Sequence, residues 1–136
     1  MAIDTHAHIN SLVLNDIEKR IKEINESNIL EKVINVSLDL KTFKECLEIA
    51  KNNPKIYATI GIHPLYINDD NLDQIYNLVN ESVVAIGEIG LDSSKNNFED
   101  QRTSLIKQIM IANDLHLPVI FPCYSSCKRN IYTIIY

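Results

Sequence analysis

Short apolar runs alternate with helical patterns along most of the chain, and this alternation limits the fold more than any other feature. Five strand-like runs are separated by four segments with apolar residues at helical spacing; the runs are AIDTHAHI (2–9), KVINVSLD (32–39), KIYATIGIHP (55–64), SVVAIGEIGLD (82–92) and LPVIFP (117–122). Strands joined by helices are expected to be parallel and buried on both faces, which suits these Ile- and Val-rich runs. The pattern predicts an α/β fold, either a doubly wound open sheet or part of a (β/α)8 barrel.

The composition is that of an ordinary globular domain. The 136 residues are 46% hydrophobic and 23% charged, with a net charge of −5. This charge argues against a broad basic surface for nucleic acid, but it allows a local phosphate site that is assisted by a metal. We expect a cytoplasmic protein, because no apolar run is long enough to span a membrane, and Asp4 and His6 interrupt any signal-peptide pattern. The odd number of cysteines makes a disulfide framework improbable.

Polar residues interrupt the apolar runs near their carboxyl ends. His6 and His8 lie in or just after the first predicted strand, His63 follows the third, and Glu88 and Asp92 lie in or after the fourth. In both candidate folds the carboxyl ends of parallel strands meet on one face, where ligands and substrates bind. We therefore expect these side chains to gather there.

The His-x-His pair near the start is typical of a metal site. Side chains alternate along a strand, so Asp4, His6 and His8 are predicted to project to one side. Two imidazoles directed to one point suit a divalent ion such as zinc. Asp4 lies too far back to be assured a place as a ligand, but it could orient one of the imidazoles. The alternative is that both histidines are incidental and partly exposed.

Glu88 is the strongest single candidate, because a carboxylate in an apolar strand is costly unless it is paired or bound to a metal. The alternative is a glutamate that reaches solvent or a lysine at the strand end. His63 could be a turn histidine before Pro64, and Asp92 is interpreted as a cap of the following turn. His116 ends the longest helical pattern and is expected to interact only with that helix terminus.

Four of these stretches, taken in order, resemble the TatD family of metal-dependent hydrolases. IDTHAHI is similar to its D-x-H-x-H start, TIGIHP to its G-x-H-P segment and AIGEIGLD to its G-E-x-G-L-D segment. QRTSLIKQIMIANDLHLPVI is similar to the helix and strand before the family's next metal histidine. The resemblance runs from Ile3 to about Ile120.

The resemblance implies a (β/α)8 barrel about twice this length, which cleaves phosphodiester bonds of DNA with two divalent ions, zinc, manganese or magnesium. By that likeness His6 and His8 bind one metal, Glu88 bridges both, and His63 lies near the scissile phosphate. Glu88 and His63 are therefore the candidate catalytic residues.

The end of the chain departs from the family pattern. Pro122 stands where the family has a metal-binding histidine, and the later histidine and aspartate ligands are missing. We interpret residues 1–121 as the amino-terminal half of the barrel and residues 122–136 as a divergent tail that is truncated or frame-shifted. The predicted function is a TatD-like hydrolase, impaired by truncation. The alternatives are an inactive half-barrel remnant, one half of a split enzyme, and a related ester or amide hydrolase.

Five strands cannot close a barrel of this type. The first and fifth strands are therefore expected to be open edges, and Val36 and Ile60 are expected to lose packing partners. Such a chain is predicted to self-associate or to require a complementary fragment.

Overall fold

All five predicted strands and all four predicted helices are present. The computed structural model describes residues 1–67 and 72–121, together with the backbone of 133–135. The strands are β1 (Ala2–Ala7), β2 (Leu30–Asn35), β3 (Ile56–Ile60), β4 (Val83–Gly87), β5 (Val119–Phe121) and β6 (Thr133–Ile135). The helices are α1 (Ile17–Glu26), α2 (Leu40–Asn52), α3 (Gln74–Leu78) and α4 (Phe98–Asp114), with a short 3-10 turn at Pro64–Tyr66. Within these described ranges, no helix is long and apolar enough to cross a membrane.

The sheet follows the order of the chain. Strands β1 to β5 are parallel neighbours in the order β1-β2-β3-β4-β5, with a helix in each connection. A doubly wound sheet reverses its strand order at a switch point, whereas a barrel proceeds in one direction. The prediction of a partial (β/α)8 barrel with about five parallel strands is therefore confirmed.

The sixth strand was not predicted, and it changes one edge of the sheet. β6 pairs antiparallel with β5, with Ile134 opposite Ile120. The expectation that β5 would be an open edge was therefore wrong. β1 does lie at the end of the sheet. Pro122, Cys123 and Cys127 fall outside the described residues, and Cys46 is a buried free thiol whose pKa burial raises to about 12.

Local signals explain where the helices begin and end. The Asp16 carboxylate accepts a hydrogen bond from the Lys19 N–H at the start of α1, and Asp39 forms a capping box with Thr42 at the start of α2. Helix α4 ends where His116 adopts a φ of 54° and donates its backbone N–H to the Asn113 carbonyl. His116 thus interacts with the helix terminus, as expected.

Apolar side chains fill the space between the sheet and the helices in two main clusters. The larger contains Phe43, Ile60, Ile75 and Ile86 together with residues of α4, and the smaller joins α1 to β2 and β3. Val36 and Ile60 are both fully buried. The expectation that they would lose packing partners was wrong. For Ile60 the reason is that it packs in the cluster that contains Phe43 of α2 and Ile75 of α3.

Two glycines let the carboxyl ends of β3, β4 and β5 approach closely. A methyl group on Gly61 would lie 2.7 Å from the Gly87 carbonyl carbon and 2.9 Å from Ile89 Cγ2. Gly87 has a φ of +156°, and a methyl group there would lie 2.7 Å from Ile120 Cβ. Both positions require glycine for space, and Gly87 also requires it for its backbone conformation.

We predict that Gly61→Ala destabilises the fold by roughly 1–3 kcal/mol, because the added methyl group overlaps backbone that cannot move without separating the strands. Thermal unfolding followed by circular dichroism measures the loss. Ser93→Ala, a change at an exposed position, serves as the control. A melting curve for Gly61→Ala that coincides with the parent curve would contradict the close packing.

Candidate metal centre

The pairing of β1 with β2 contains an irregularity between Asp4 and Ala7. Asp4 pairs with Val33 and Ala7 with Asn35, so three steps along β1 match two steps along β2. This extra residue breaks the alternation of side chains that the sequence analysis assumed. Asp4 is exposed, and its carboxylate accepts a hydrogen bond of 3.0 Å from the backbone N–H of His6. Asp4 therefore contacts the backbone of His6 through its carboxylate, and its role in orienting an imidazole stays a prediction.

His6, His8 and Glu88 converge at one point. His6 Nε2 lies 3.6 Å from Glu88 Oε2, His8 Nε2 lies 3.8 Å from the same oxygen, and the two Nε2 atoms are 3.2 Å apart. The side chains of His6 and Glu88 are 6% and 7% exposed, whereas that of His8 is 26% exposed. The structure thus brings together the three residues that the sequence pattern selected, with His8 at the open side.

Hydrogen bonding prepares the His8 ring to coordinate an ion. His8 Nδ1 lies 3.0 Å from the Val36 carbonyl oxygen, which can only accept, so Nδ1 carries the proton. In the neutral ring Nε2 then has a lone pair, and this atom lies beside Glu88 and His6. Burial is the main cause that lowers the pKa of His8, and the neighbouring His6 lowers it further. The neutral ring, which is the form that binds metals, is favoured.

Glu88 remains ionised despite its burial. Burial is the largest influence and raises the pKa of its carboxyl group, but the hydrogen bond and charge of His6 and the charges of His63 and His8 lower it. The combined lowering prevails, so the pKa lies below its ordinary value. Two imidazole nitrogens and one carboxylate oxygen, all within 4.8 Å of one another, form a donor set that suits zinc and related divalent ions.

His63 and Asp92 lie beside this group. His63 Nδ1 accepts a hydrogen bond of 3.1 Å from the Leu65 N–H and caps the 3-10 turn, which is the turn role considered as an alternative. Burial lowers the pKa of His63 below its ordinary value, although the charges of Glu88 and Asp92 raise it. The His63 ring therefore interacts electrostatically with the centre. The Asp92 carboxylate accepts a hydrogen bond of 2.8 Å from the Ser94 N–H. Asp92 therefore caps a turn, as interpreted from the sequence.

Three further polar residues surround the centre, and the sequence analysis missed them. Asn35, Gln101 and Gln108 are almost completely buried. Asn35 and Gln108 form hydrogen bonds with the backbone of Ile9 and Ile62, which are adjacent to His8 and His63, and Gln101 binds the backbone of Asp92. Gln101 and Gln108 are one heptad apart on α4, where apolar side chains normally face the sheet. Polar residues at this spacing on the buried face were the signal that could have revealed them.

A family comparison agrees with the geometry of the site. The sequence model of the family described as "TatD related DNase" matches residues 3–135. The chain belongs to this TatD family. The match extends beyond Phe121 into the segment that was interpreted as a divergent tail, and the division between the two segments stays a prediction.

Individual relatives are similar over most of this chain but over about half of their own. The metal-dependent hydrolase YabD of Bacillus subtilis is 32% identical across 88% of this chain and 49% of its own length. The 3'-5' ssDNA/RNA exonuclease TatD of Escherichia fergusonii is 30% identical across 68% of this chain and 38% of its own. The solved structure of YjjV, a TatD homologue of Escherichia coli, superposes with a TM-score of 0.75 at 31% identity and covers 88% of this chain and 49% of that one.

These covered fractions show how much of each relative this chain matches. The chain spans about half the length of the curated relatives that it matches. The superposition confirms that the half-barrel has the fold of the corresponding part of a TatD homologue.

Proposed function

We propose that this chain forms the metal-binding half of a divalent-metal-dependent hydrolase that cleaves phosphodiester bonds in DNA. The observation that carries the proposal is the convergence of His6 Nε2, His8 Nε2 and Glu88 Oε2 on one point at the carboxyl ends of β1 and β4. Membership of the TatD family and the exonuclease named among the relatives support the nucleic-acid substrate.

Each residue has a role in this proposal. His6 and His8 would hold one ion through their Nε2 atoms, and Glu88, whose lowered pKa keeps it ionised, would be a ligand of that ion and, by the family resemblance, of a second one. Divalent ions, zinc, manganese or magnesium, supply positive charge and lower the pKa of bound water. His63, whose pKa is also lowered, is neutral near pH 7 and contributes a hydrogen bond to the scissile phosphate, not a positive charge.

The remaining expectations stay part of the proposal. Residues 1–121 act as the amino-terminal half-barrel and residues 122–136 as a separate tail, in a cytoplasmic protein. The partners are DNA and either a complementary fragment or a second copy. An inactive remnant differs from this proposal in a measurable way, because it would retain the fold without metal-dependent cleavage.

We predict that zinc or manganese binding depends on the three converging side chains. Calorimetric titration of the purified chain should show binding that the double variant His6→Ala, His8→Ala abolishes, because two of the three donor atoms are lost. His116→Asn is the matched control, since His116 is exposed at the end of α4 and asparagine tolerates its positive φ. Unchanged binding in the double variant would disprove the assignment of ligands.

We predict that a polypeptide of these 136 residues cleaves single-stranded DNA weakly or not at all with manganese or magnesium. The donor group in the described part of the chain has three side chains. The family resemblance implies further ligands after Phe121, which we expect to be missing from this chain. Incomplete coordination weakens metal binding and misplaces the attacking water. Gel analysis of end-labelled DNA measures the activity.

Two variants make the cleavage assay decisive. Robust cleavage that Glu88→Gln removes and that exposed Glu81→Gln retains would show that three ligands suffice. It would also exclude the reading of an inactive remnant. Cleavage that persists in both variants would indicate a contaminating nuclease.

We also predict self-association through β1. This strand ends the sheet, and Ile3 within it is 57% exposed. Unpaired backbone groups beside exposed apolar side chains favour pairing with another chain. Size-exclusion chromatography with light scattering should show oligomers that Ile3→Lys reduces and that Met110→Lys, on the outer side of α4, leaves in place. A monomer at all concentrations would refute this prediction.

A further inference from the structure

Three buried carboxamide side chains each bind both backbone polar groups of one residue. Asn35, at the end of β2, accepts a hydrogen bond of 2.7 Å from the Ile9 N–H and donates one of 2.9 Å to the Ile9 carbonyl. Ile9 directly follows His8 and lies beyond the last residue of β1. Asn35 therefore fixes the backbone next to one of the proposed ligands.

The other two carboxamides belong to α4. Gln108 accepts a hydrogen bond of 2.7 Å from the Ile62 N–H and donates one of 3.1 Å to the Ile62 carbonyl. Gln101 accepts a hydrogen bond of 2.7 Å from the Asp92 N–H and donates one of 3.0 Å to the Asp92 carbonyl. Ile62 directly precedes His63, so α4 holds the segments that follow both β3 and β4.

The chemistry of the carboxamide explains this arrangement. A residue in extended conformation directs its N–H and C=O to the same side, where a neighbouring strand normally supplies partners. Past the strand ends these groups are buried, and burial without partners is costly. A carboxamide offers one acceptor oxygen and an NH2 donor, so it replaces one residue of a neighbouring strand. Asn35 and Gln101 are 0% exposed and Gln108 is 1% exposed, so water does not compete for these bonds.

The polarity of α4 is not what packing alone favours. Its buried positions include Gln101, Ser104 and Gln108, whereas Ile109 and Met110 are 41% and 60% exposed. An apolar residue at either glutamine position would add to the core, because its side chain would have no polar group that needs a partner. The glutamines are therefore explained by the segments that they hold.

We propose that Asn35, Gln101 and Gln108 are positioning residues, which fix the segments that carry His8, Asp92 and His63 through paired backbone hydrogen bonds. The catalytic meaning of this proposal rests on the proposed function, whereas the positioning itself can be tested without metal or substrate. Each side chain acts on a different segment, so each predicts a different local change.

The first experiment compares Asn35→Leu with Asn53→Leu in the metal-free protein and in zinc titrations. Asn53 is also a buried carboxamide, but it binds the Ile49 carbonyl at the end of α2, far along the chain from the candidate ligands. We expect Asn35→Leu to shift the His8 imidazole signals in the nuclear magnetic resonance spectrum and to weaken zinc binding about tenfold or more. Asn53→Leu should lower the melting temperature without either change.

The second experiment uses His63. Its Nδ1 accepts the Leu65 N–H, so the neutral ring carries its proton on Nε2. At mildly alkaline pH, the imidazole 15N spectrum of Gln108→Met should lose this single tautomer, while the His6 signals remain. Gln108→Glu keeps an acceptor for the Ile62 N–H but loses the donor to the Ile62 carbonyl. Its spectrum should therefore lie between those of the parent chain and of Gln108→Met.

The outcomes separate the two proposals. Parent-like His8 and His63 signals in folded Asn35→Leu and Gln108→Met, or equal effects of Asn53→Leu, would overturn the positioning roles. If Asn35→Leu does not fold, the Gln108 variants decide. If the parent chain does not bind zinc, the metal assignment fails, and the metal-free spectra still decide the positioning.

Discussion

The burial of the Glu88 carboxylate constrains the whole half-barrel, because an ionised group inside a protein must be compensated by its neighbours. Its partner His6 lies in β1, and His8 directly follows that strand. Two other strands separate β1 from β4. In a flat sheet, three spacings would put β1 roughly 14 Å from β4. The observed distances of 3.6 and 3.8 Å from Glu88 Oε2 to the imidazoles fit a sheet that curves inward. The geometry of the centre and a curved sheet are thus consistent with each other.

The glycines and the carboxamides meet complementary demands of that curvature. Strands that converge at their carboxyl ends bring backbone against backbone, and Gly61 and Gly87 leave room for it. Beyond the ladder, the next backbone groups have no strand to pair with, and the buried carboxamides supply the missing partners. The glycines thus provide space, and the carboxamides provide hydrogen-bond partners, at the same edge of the sheet.

Much of this arrangement can be predicted from the sequence, because its signals are local. Alternating apolar runs indicate the strands, and the unusual polarity of Glu88 and the His-x-His pair indicates the centre. The extra residue of β1 between Asp4 and Ala7 could not be predicted, since it depends on how β1 pairs with β2. β6 was missed for a similar reason: three residues become a strand only through pairing with β5. The glutamines of α4 were missed because the sequence does not show which face of that helix packs on the sheet, and Ile106, Ile109 and Met110 are exposed although they are apolar.

Charge links the centre to its proposed substrate. The chain carries a net charge of −5, and Glu88 adds a buried negative charge at the proposed metal centre. The neighbouring His8 and His63 have lowered pKa values, for which burial is the main cause, so the neutral form of both rings is favoured near neutral pH. In the proposed function, bound cations would supply the attraction of a phosphodiester to this face. In this proposed arrangement the protein must bind the metal before it can bind the nucleic acid. The residues that hold the imidazoles and the carboxylate in place would therefore affect both binding steps.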